Sequence, residues 1–334
     1  MASLTLVSVA DALVPQVVAD WLVAVCRHTG QAWGPNAAEK LFWFRPPKVH
    51  VFEFVVLHVF VWCCFRASWG YRSQAWQYIC GISRDKSTKS LFNKLLGVFL
   101  LFCWTFQVLL KISRPHPFVQ IGWMLMPCHL LTLLWAAVLL RAGPSQYPEN
   151  VYLATLAVDY HWGPTAALAS PDWGDHQYKF ESYFFMVHHG LLFIMPFYFA
   201  ARYDVLPMTR PHLLHATALA TLVNIGFYTP YSYISGLNVN YMLYPPPKLM
   251  RVFPFKYVAY RFYIIAFLIL LTATFHAFIS NFGKGARWLL SQGKNTHTAF
   301  NKKTEVELFK FLQERNKEAL TKKKKRMRGG VLFA

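Results

Sequence analysis

A cysteine and two histidines lie in the middle of two long apolar segments of this chain. Cys128 is in the run 118–140, and His188 and His189 are in the run 182–200. A thiol and an imidazole at similar depth can act as nucleophile and general base, because the imidazole accepts the thiol proton and later returns it to a leaving group. At 1.5 Å per residue, Cys128 is about 15 Å into its run and His189 about 10 Å into its own. The depths indicate a nucleophile–base pair.

Pro127 determines the local structure expected around Cys128. Proline removes one helix hydrogen bond and its ring clashes with the carbonyl four residues earlier, so the run should kink here. Cys128 then lies in the first turn of the second half, where the partial positive charge of a helix N-terminus stabilises a thiolate. A buried, unreactive cysteine and hydrogen-bonded core histidines would explain the same residues without any chemistry.

Other polar residues could complete such a site. Amide groups can donate hydrogen bonds to an oxyanion or orient an imidazole, although Gly and Asn together also favour a turn. The candidates for substrate binding or oxyanion stabilisation are Gln107, Lys111, His188, Asn238 and Asn240. Three further histidines lie within apolar runs, so a haem or metal redox protein remains an alternative hypothesis, although their spacing gives it no specific support. They are His129, His161 and His276.

The composition is typical of an integral membrane protein. The 334 residues are 55% apolar and 17% aromatic, and only 15% are charged, against about 25% charged residues in soluble domains. We predict an all-α fold, a polytopic membrane helical bundle of about seven transmembrane helices. An N-terminal amphipathic helix within residues 4–26 should precede the first span, because Asp11, Pro15 and Asp20 interrupt its apolar character.

Seven apolar runs are each close to the ~20 residues that cross the hydrocarbon core of a bilayer. They are 49–66, 91–112, 118–140, 150–169, 182–200, 212–234 and 257–280. The fourth and sixth contain charge or helix breakers, which are tolerated where they face protein or a cavity. The chain is therefore expected to comprise an N-terminal interfacial segment, a transmembrane helical domain and a basic cytoplasmic tail, namely residues 1–48, 49–282 and 283–334.

A large share of the net charge of +19 comes from the last fifty residues, which include the run 322–326. Basic residues beside a span are typical of the cytoplasmic side, where they are attracted to anionic lipid headgroups. A basic tail would also suit nucleic acid, but no folded recognition motif accompanies it, so we expect no nucleic-acid partner. The six cysteines form no C-x-x-C pair, so we expect no zinc site of the usual kind. Four of them lie within apolar runs, where cysteine behaves as a small hydrophobic residue, so we expect no disulfide framework.

Three segments resemble the transmembrane protein 164 family, over about residues 90–280. Pro127-Cys128-His129-Leu130 resembles the family motif asparagine-proline-cysteine-histidine-leucine, with Met126 in place of the asparagine. Tyr183-Phe184, followed by His189 and then Pro196-Phe197-Tyr198, is similar to the catalytic-histidine span of the family. Asn238-Val239-Asn240-Tyr241-Met242-Leu243-Tyr244-Pro245 is similar to its asparagine-rich strip ahead of the last span.

The resemblance implies a membrane acyltransferase with a fold similar to that of the androgen-induced lipid hydrolases. Such an enzyme moves a fatty acyl chain between phospholipids, including onto ether lysophospholipids, through an acyl-cysteine intermediate. By this resemblance Cys128 is the nucleophile, and the spacing to Pro196 selects His189 over His188 as the base. Phospholipids and lysophospholipids are then the substrates, and no metal or soluble cofactor is expected. An intramembrane lipid hydrolase uses the same chemistry with water as acceptor, and a lipid transporter or scramblase lined by the broken spans is the alternative from another class.

We expect an integral, multi-pass protein of the endoplasmic reticulum. Its C-terminus should lie in the cytoplasm, because the Lys and Arg residues of the tail dominate the charge asymmetry between the two sides of the membrane. In sealed microsomes, a protease added outside should remove an epitope fused after Ala334, as followed by immunoblotting. If the epitope persists until detergent opens the vesicles, the orientation is reversed.

Overall fold

A computed structural model of the chain consists of α-helices, and no strand occurs in the part of the chain that it describes. The described residues are 2–29, 43–71, 73, 75, 77, 90–141, 147–171, 173, 176–245, 249–250, 252 and 259–292. Cys80 and the tail beyond residue 292, which carries the topology prediction, lie outside them. The chain divides into two compact units, Met1–Arg287 and Trp288–Ala334, and all packing described below is within the first.

The described helices are numbered here in chain order. They are α1 (Ala2–Leu13), α2 (Gln16–His28), α3 (Pro47–Ala67), α4 (Leu91–Ile112), α5 (Pro117–Ile121), α6 (Pro127–Leu140), α7 (Tyr147–Asp159), α8 (Trp162–Ala169), α9 (Lys179–Arg202), α10 (Arg210–Leu222), α11 (Thr229–Ser235) and α12 (Tyr260–Gln292). Short 3₁₀ turns occur at Gly122–Leu125 and Val239–Tyr241, and a π-helical turn at Val223–Tyr228 connects α10 to α11.

Four of the described helices, α3, α4, α9 and α12, are long and apolar enough to cross a membrane. Two bent pairs raise the count to six at most, if each pair is one span. These pairs are α1 with α2, and Pro117–Leu125 with α6. The all-α, multi-span class is confirmed, whereas the predicted count of about seven spans is not.

The N-terminal segment differs from the single amphipathic helix that the sequence predicted. Pro15 precedes α2 and lacks the backbone N–H that would continue α1, so the chain turns there and the two helices meet at 101°. Both α1 and α2 contact α3. The segment is therefore a bent helix pair packed on the bundle.

The fourth and sixth predicted spans are not single α-helices. The run 150–169 forms the short helices α7 and α8, and Pro164 lies in the first turn of α8, a position that proline tolerates. The run 212–234 contains the π-helical turn, which immediately precedes the turn of α11 that contains Pro230. Proline cannot donate to the carbonyl four residues earlier, and such a missing bond favours a wider local turn.

The kink predicted at Pro127 is confirmed. Met126 has φ −57° and ψ 145°, an extended conformation, and α6 begins at Pro127 with Cys128 as its second residue. Proline at the first helical position loses no hydrogen bond, since that N–H would have no partner within the helix. The helical segments before and after this point are bent by 64°.

A buried apolar core holds α6 between α4 and α9. Its members include Leu100 of α4, Trp135 of α6 and Phe199 of α9, each at most 1% exposed. Gly97 of α4 lies so close to α6 that an added Cβ would be 2.8 Å from the Leu140 side chain. Small residues at such contacts allow helices to approach closely in a membrane, where lipid supplies no hydrophobic drive for association.

Gly283 of α12 lies close to the backbone of α9. A Cβ at this position would be 2.5 Å from the carbonyl oxygen of Ala200, whereas a Cβ at Gly285 meets nothing within 4 Å in the described structure. We expect Gly283→Ala to lower the free energy of unfolding by about 1–3 kcal/mol through this overpacking. Gly285→Ala, the matched control, should leave it unchanged or raise it by up to about 1 kcal/mol through helix propensity.

Thermal denaturation of both variants in one detergent, followed by size-exclusion chromatography of the surviving folded fraction, measures this difference. Equal stability of the two variants would contradict a close backbone contact at Gly283.

Candidate active site

The first turn of α6 and the middle of α9 are joined through Thr132. Its hydroxyl donates to the carbonyl oxygen of Cys128 at 2.8 Å, and its Oγ1 lies 2.7 Å from Nε2 of His188. Because a hydroxyl has one hydrogen and the carbonyl takes it, His188 Nε2 must donate to Oγ1. A chain of two hydrogen bonds therefore connects the backbone at Cys128 to α9.

The helices α6 and α9 run in the same direction. Thr132 contacts His188, and three residues later the Trp135 ring meets Phe199 with centroids 5.7 Å apart, so the contacts advance in the same direction on both helices. Cys128 is one turn, about 5.4 Å, before Thr132, on the same face of α6. Its side chain is partly buried and packs against the core shared with α9.

His189 has the hydrogen bonding of a general base. Its Nδ1 is 2.9 Å from the carbonyl oxygen of Phe185, and since a carbonyl only accepts, Nδ1 carries the hydrogen. Nε2 of the neutral ring then has a lone pair, and this buried atom has no hydrogen-bond partner among the described residues. The Phe185 ring also stacks on the imidazole with centroids 3.8 Å apart. The ring is thus oriented with one basic nitrogen unoccupied.

His188 is held differently from its neighbour. Its Nε2 is committed to Thr132, and its ring lies 5.8 Å from the ring of His129 and 5.3 Å from that of His189. The geometry makes His188 a link between α6 and α9. Lys111 of α4 is also buried and interacts electrostatically with His129, so it lies beside the same histidine cluster.

The two candidate asparagines have different surroundings. The Asn238 amide closes its own loop, because Oδ1 accepts from the backbone of Leu243 and Tyr244 and Nδ2 donates to the Tyr244 carbonyl. Asn240 has a left-handed backbone (φ 46°), and its amide donates to Oδ1 of Asn224 at 2.6 Å.

The Asn240 loop lies over the start of α6. The backbone N–H of Asn240 reaches the Met126 sulfur at 3.3 Å, a weak acceptor. Tyr228, at the end of the π-helical turn, interacts electrostatically with Cys128. The structure therefore places three of the candidates around α6, namely Lys111, Asn240 and His188. The other two have different surroundings, because the amide of Asn238 is hydrogen-bonded within its own loop and Gln107 is half-buried on α4.

A second polar cluster, buried between α7, α10 and α12, was not singled out from the sequence. Asp159 Oδ2 is 2.8 Å from His212 Nε2, and Oδ1 is 2.7 Å from His276 Nδ1. His276 Nε2 faces the Leu206 carbonyl at 2.8 Å and therefore carries a hydrogen. Burial raises the pKa of the Tyr71 hydroxyl above its ordinary value, so this group stays protonated and donates to His212 Nδ1.

The Asp159 cluster is the group of described residues whose side chains could hold a metal ion, with ligand atoms within 4.8 Å of one another. The ligand atoms nevertheless lie at hydrogen-bond distances, so an ion would have to displace bonds that are already made. The histidines considered for haem have three different surroundings. His129 lies beside His188, His161 packs among phenylalanine rings, and His276 bonds Asp159.

Two signals in the sequence could have found the residues that were missed. Thr132 follows Cys128 by four residues, the spacing of neighbours on one helix face. Asp159, His212 and His276 are ionisable groups inside apolar runs, where each needs a partner, so pairing them with one another was a testable expectation.

These features define a multi-pass α-helical membrane protein in which Thr132 connects the backbone of a cysteine at a helix N-terminus to one of a pair of buried histidines. A family model, that of the TMEM164 (transmembrane protein 164) family, matches residues 43–279, and the chain belongs to this family. A "Transmembrane protein 164 homolog" from Dictyostelium discoideum is 28% identical over 214 residues, 61% of this chain and 74% of that protein. No solved structure matches the chain. The matched segment contains both Cys128 and His189.

The geometry predicts that His189 raises the reactivity of the Cys128 thiol. In purified protein at neutral pH, His189→Ala should slow alkylation of Cys128 by iodoacetamide several-fold, because the unoccupied Nε2 can no longer take the thiol proton. The exposed Cys63 of α3 is an internal reference whose rate should not change. Peptide mass spectrometry over a time course gives both rates. An equal change at Cys63 and Cys128, or no change at either, would contradict an effect of His189 on this thiol.

Proposed function

We propose that this membrane protein is an acyltransferase that moves a fatty acyl chain between phospholipids, including onto ether lysophospholipids, through an acyl-cysteine intermediate. The supporting observation is the basic, unpartnered Nε2 of buried His189, on the helix that is hydrogen-bonded to the turn of Cys128. The position of Cys128 at a helix N-terminus adds to this support, since it favours the thiolate.

In the first half-reaction, Cys128 attacks the ester carbonyl of a phospholipid. His189 Nε2 takes the thiol proton, Sγ bonds to the carbonyl carbon, and the ester C–O bond breaks. His189 returns the proton to the departing oxygen, which leaves as the hydroxyl of a lysophospholipid. The acyl chain remains on Cys128 as a thioester.

In the second half-reaction, a lysophospholipid hydroxyl accepts the acyl chain. His189 takes the hydroxyl proton, the oxygen attacks the thioester carbonyl, and the proton returns to the sulfur as the C–S bond breaks. Water in place of the hydroxyl would give hydrolysis by the same steps. Both lipids are already in the bilayer, so no soluble cofactor or metal takes part.

The oxyanion of each tetrahedral intermediate needs donors near the start of α6. The positive end of the α6 dipole lies there, and the Asn240 loop and Lys111 lie beside the same region. Glu181, in contrast, forms an ion pair with Arg114 and accepts from the backbone N–H groups of Gln177 and Tyr178 just before α9, which argues for a structural role.

The transporter or scramblase alternative rests on the helix breaks at α7–α8 and at the π-helical turn. Its most polar residue is Asp159, whose two carboxylate oxygens are engaged by buried histidines, which disfavours exposure to a translocation path. We also propose that the enzyme resides in the endoplasmic reticulum with its C-terminus in the cytoplasm, where phospholipid substrates are abundant.

The chemistry predicts a graded series of variants. Cys128→Ala should abolish acyl transfer, because no other group can carry the acyl chain. Cys128→Ser should be much weaker than wild type, since a hydroxyl is far harder to ionise than a thiol. His189→Ala should lower the rate by about 10²–10⁴-fold, the usual contribution of a general base, and His188→Ala should matter less.

Lipid profiling of cells that express each variant at matched levels measures transfer, and intact-mass analysis after incubation with phospholipid detects the acyl adduct. Cys103→Ala is the matched control, because Cys103 is a buried cysteine of α4. Normal transfer by Cys128→Ala would end the enzyme proposal and favour the transporter alternative.

A further inference from the structure

A groove lies between α3, α10 and α12, on the side of the π-helical turn that carries Asn224. Its floor and walls are mainly apolar, and its polar lining groups are Arg261, Asn224 and three threonines. The lining residues of α12 recur at 261, 264, 265, 268, 269 and 272, which is one face of a helix. From Arg261 to Thr272 this face is about 16 Å long, roughly half the ~30 Å hydrocarbon core of a bilayer. The groove has the length of one leaflet's acyl chains.

The Arg261 end of the groove carries more positive than negative charge. Arg45, Arg261 and Glu53 are all at most 3% exposed, and both arginines approach the same Glu53 carboxylate oxygen, Oε2. His50 Nδ1 accepts from Arg45 at 2.7 Å, so the neutral imidazole has its hydrogen on Nε2. Two guanidinium groups thus share one carboxylate. An uncompensated charge buried at this depth is costly and is typical of a binding site.

Several donors of this cluster have no hydrogen-bond partner in the described structure. They include Arg45 Nε and His50 Nε2, against one unpartnered acceptor, Glu53 Oε1. The Tyr233 hydroxyl is hydrogen-bonded to Arg261, but a phenol carries no charge to balance a guanidinium. An oxyanion is the ligand that would satisfy such donors and balance the charge together. Arg261 also lies in the first turn of α12, where the helix dipole favours an anion.

We propose that this groove binds a lipid with one acyl chain and an oxyanion head, with the head on Arg261 and the chain along α12 towards Thr272. A lysophospholipid has this chemistry. The inference rests on the proposed function only in taking the bound lipid to be the acyl acceptor. Asn224 lines the groove and accepts a hydrogen bond from the Asn240 side chain. The backbone N–H of Asn240 in turn contacts Met126, two residues before Cys128. The groove therefore adjoins the candidate active site.

The binding test uses the full chain carrying Cys128→Ala, so that no turnover occurs. The probe is a lysophosphatidylcholine with a diazirine in its acyl chain, and peptide mapping should place the label on residues 264–272 of α12. Unlabelled lysophosphatidylcholine should compete, whereas inorganic phosphate, which has no chain, and a monoacylglycerol, which has no anion, should not. Stronger competition by a fatty acid than by lysophosphatidylcholine would assign the preferred head as a carboxylate. Equal competition by monoacylglycerol would overturn the proposal.

Two substitutions in the ion cluster separate binding from folding. Arg261→Gln should lower labelling about tenfold or more, the loss of a charge-assisted hydrogen bond. Glu53→Gln raises the positive charge of the cluster and should strengthen labelling. Both variants break the same buried ion pair, so damage to the fold alone would move labelling the same way in both, and that result would also overturn the proposal. Arg202→Gln, whose guanidinium lies over the Tyr198 ring, is the matched control and should change nothing.

The two proposals can fail separately. An acyl adduct on Cys128 without labelling of α12 would reject only the proposal that the groove binds lipid. Labelling of α12 together with normal transfer by Cys128→Ala removes only the acyl-cysteine mechanism.

Discussion

The buried carboxylate of Asp159 holds together the helices on which the rest of the structure depends. It accepts hydrogen bonds from His212 of α10 and His276 of α12, and the backbone carbonyl of the same residue accepts from Thr272. Removing one partner from a buried charged network costs about 3–5 kcal/mol, because the remaining charge has no compensation. One residue at the end of α7 thus fixes α10, which leads into the π-helical turn, and α12, which forms a wall of the groove. The broken fourth run is what allows a carboxylate to face both helices.

The sequence predicted the features that depend on local chemistry. A proline in an apolar run dictates a kink wherever it occurs, so the break before Cys128 and the start of α6 followed from Pro127 alone. The pairing of the third and fifth runs followed from the depth of polar residues in each. The span count did not follow, because length and hydropathy cannot show whether the polar groups of runs 150–169 and 212–234 find partners. Some of those partners are distant in the chain, as His276 is from Asp159, 117 residues away.

In the candidate site, too, some features were predictable from the local sequence and others depend on distant residues. Motif spacing distinguished His189 from His188. The hydrogen bonds hold the two imidazoles differently, His189 through Nδ1 on the Phe185 carbonyl and His188 through Nε2 on Thr132, but each ring keeps one buried nitrogen without a partner among the described residues. Family membership agrees with the motifs but carries no statement about chemistry. The spacing of Thr132 from Cys128 places it on the same helix face, but its bond to His188 and the cluster around Arg261 could not be derived from spacing, since they depend on neighbours on other helices.

Phe185 affects the positive charge that His189 acquires when it takes up a proton. Its carbonyl orients the imidazole of His189, and its ring lies against the same imidazole at 3.8 Å. An imidazolium formed in this apolar region would lack water, yet the negative face of an aromatic ring attracts a cation, by about 2 kcal/mol or more where solvent is excluded. The Phe185 carbonyl therefore fixes which nitrogen of His189 carries the hydrogen, and the Phe185 ring stabilises the positive charge of a protonated imidazole. A histidine so placed can hold a transient positive charge within lipid without a permanent counter-ion, which would otherwise fix the proton in place.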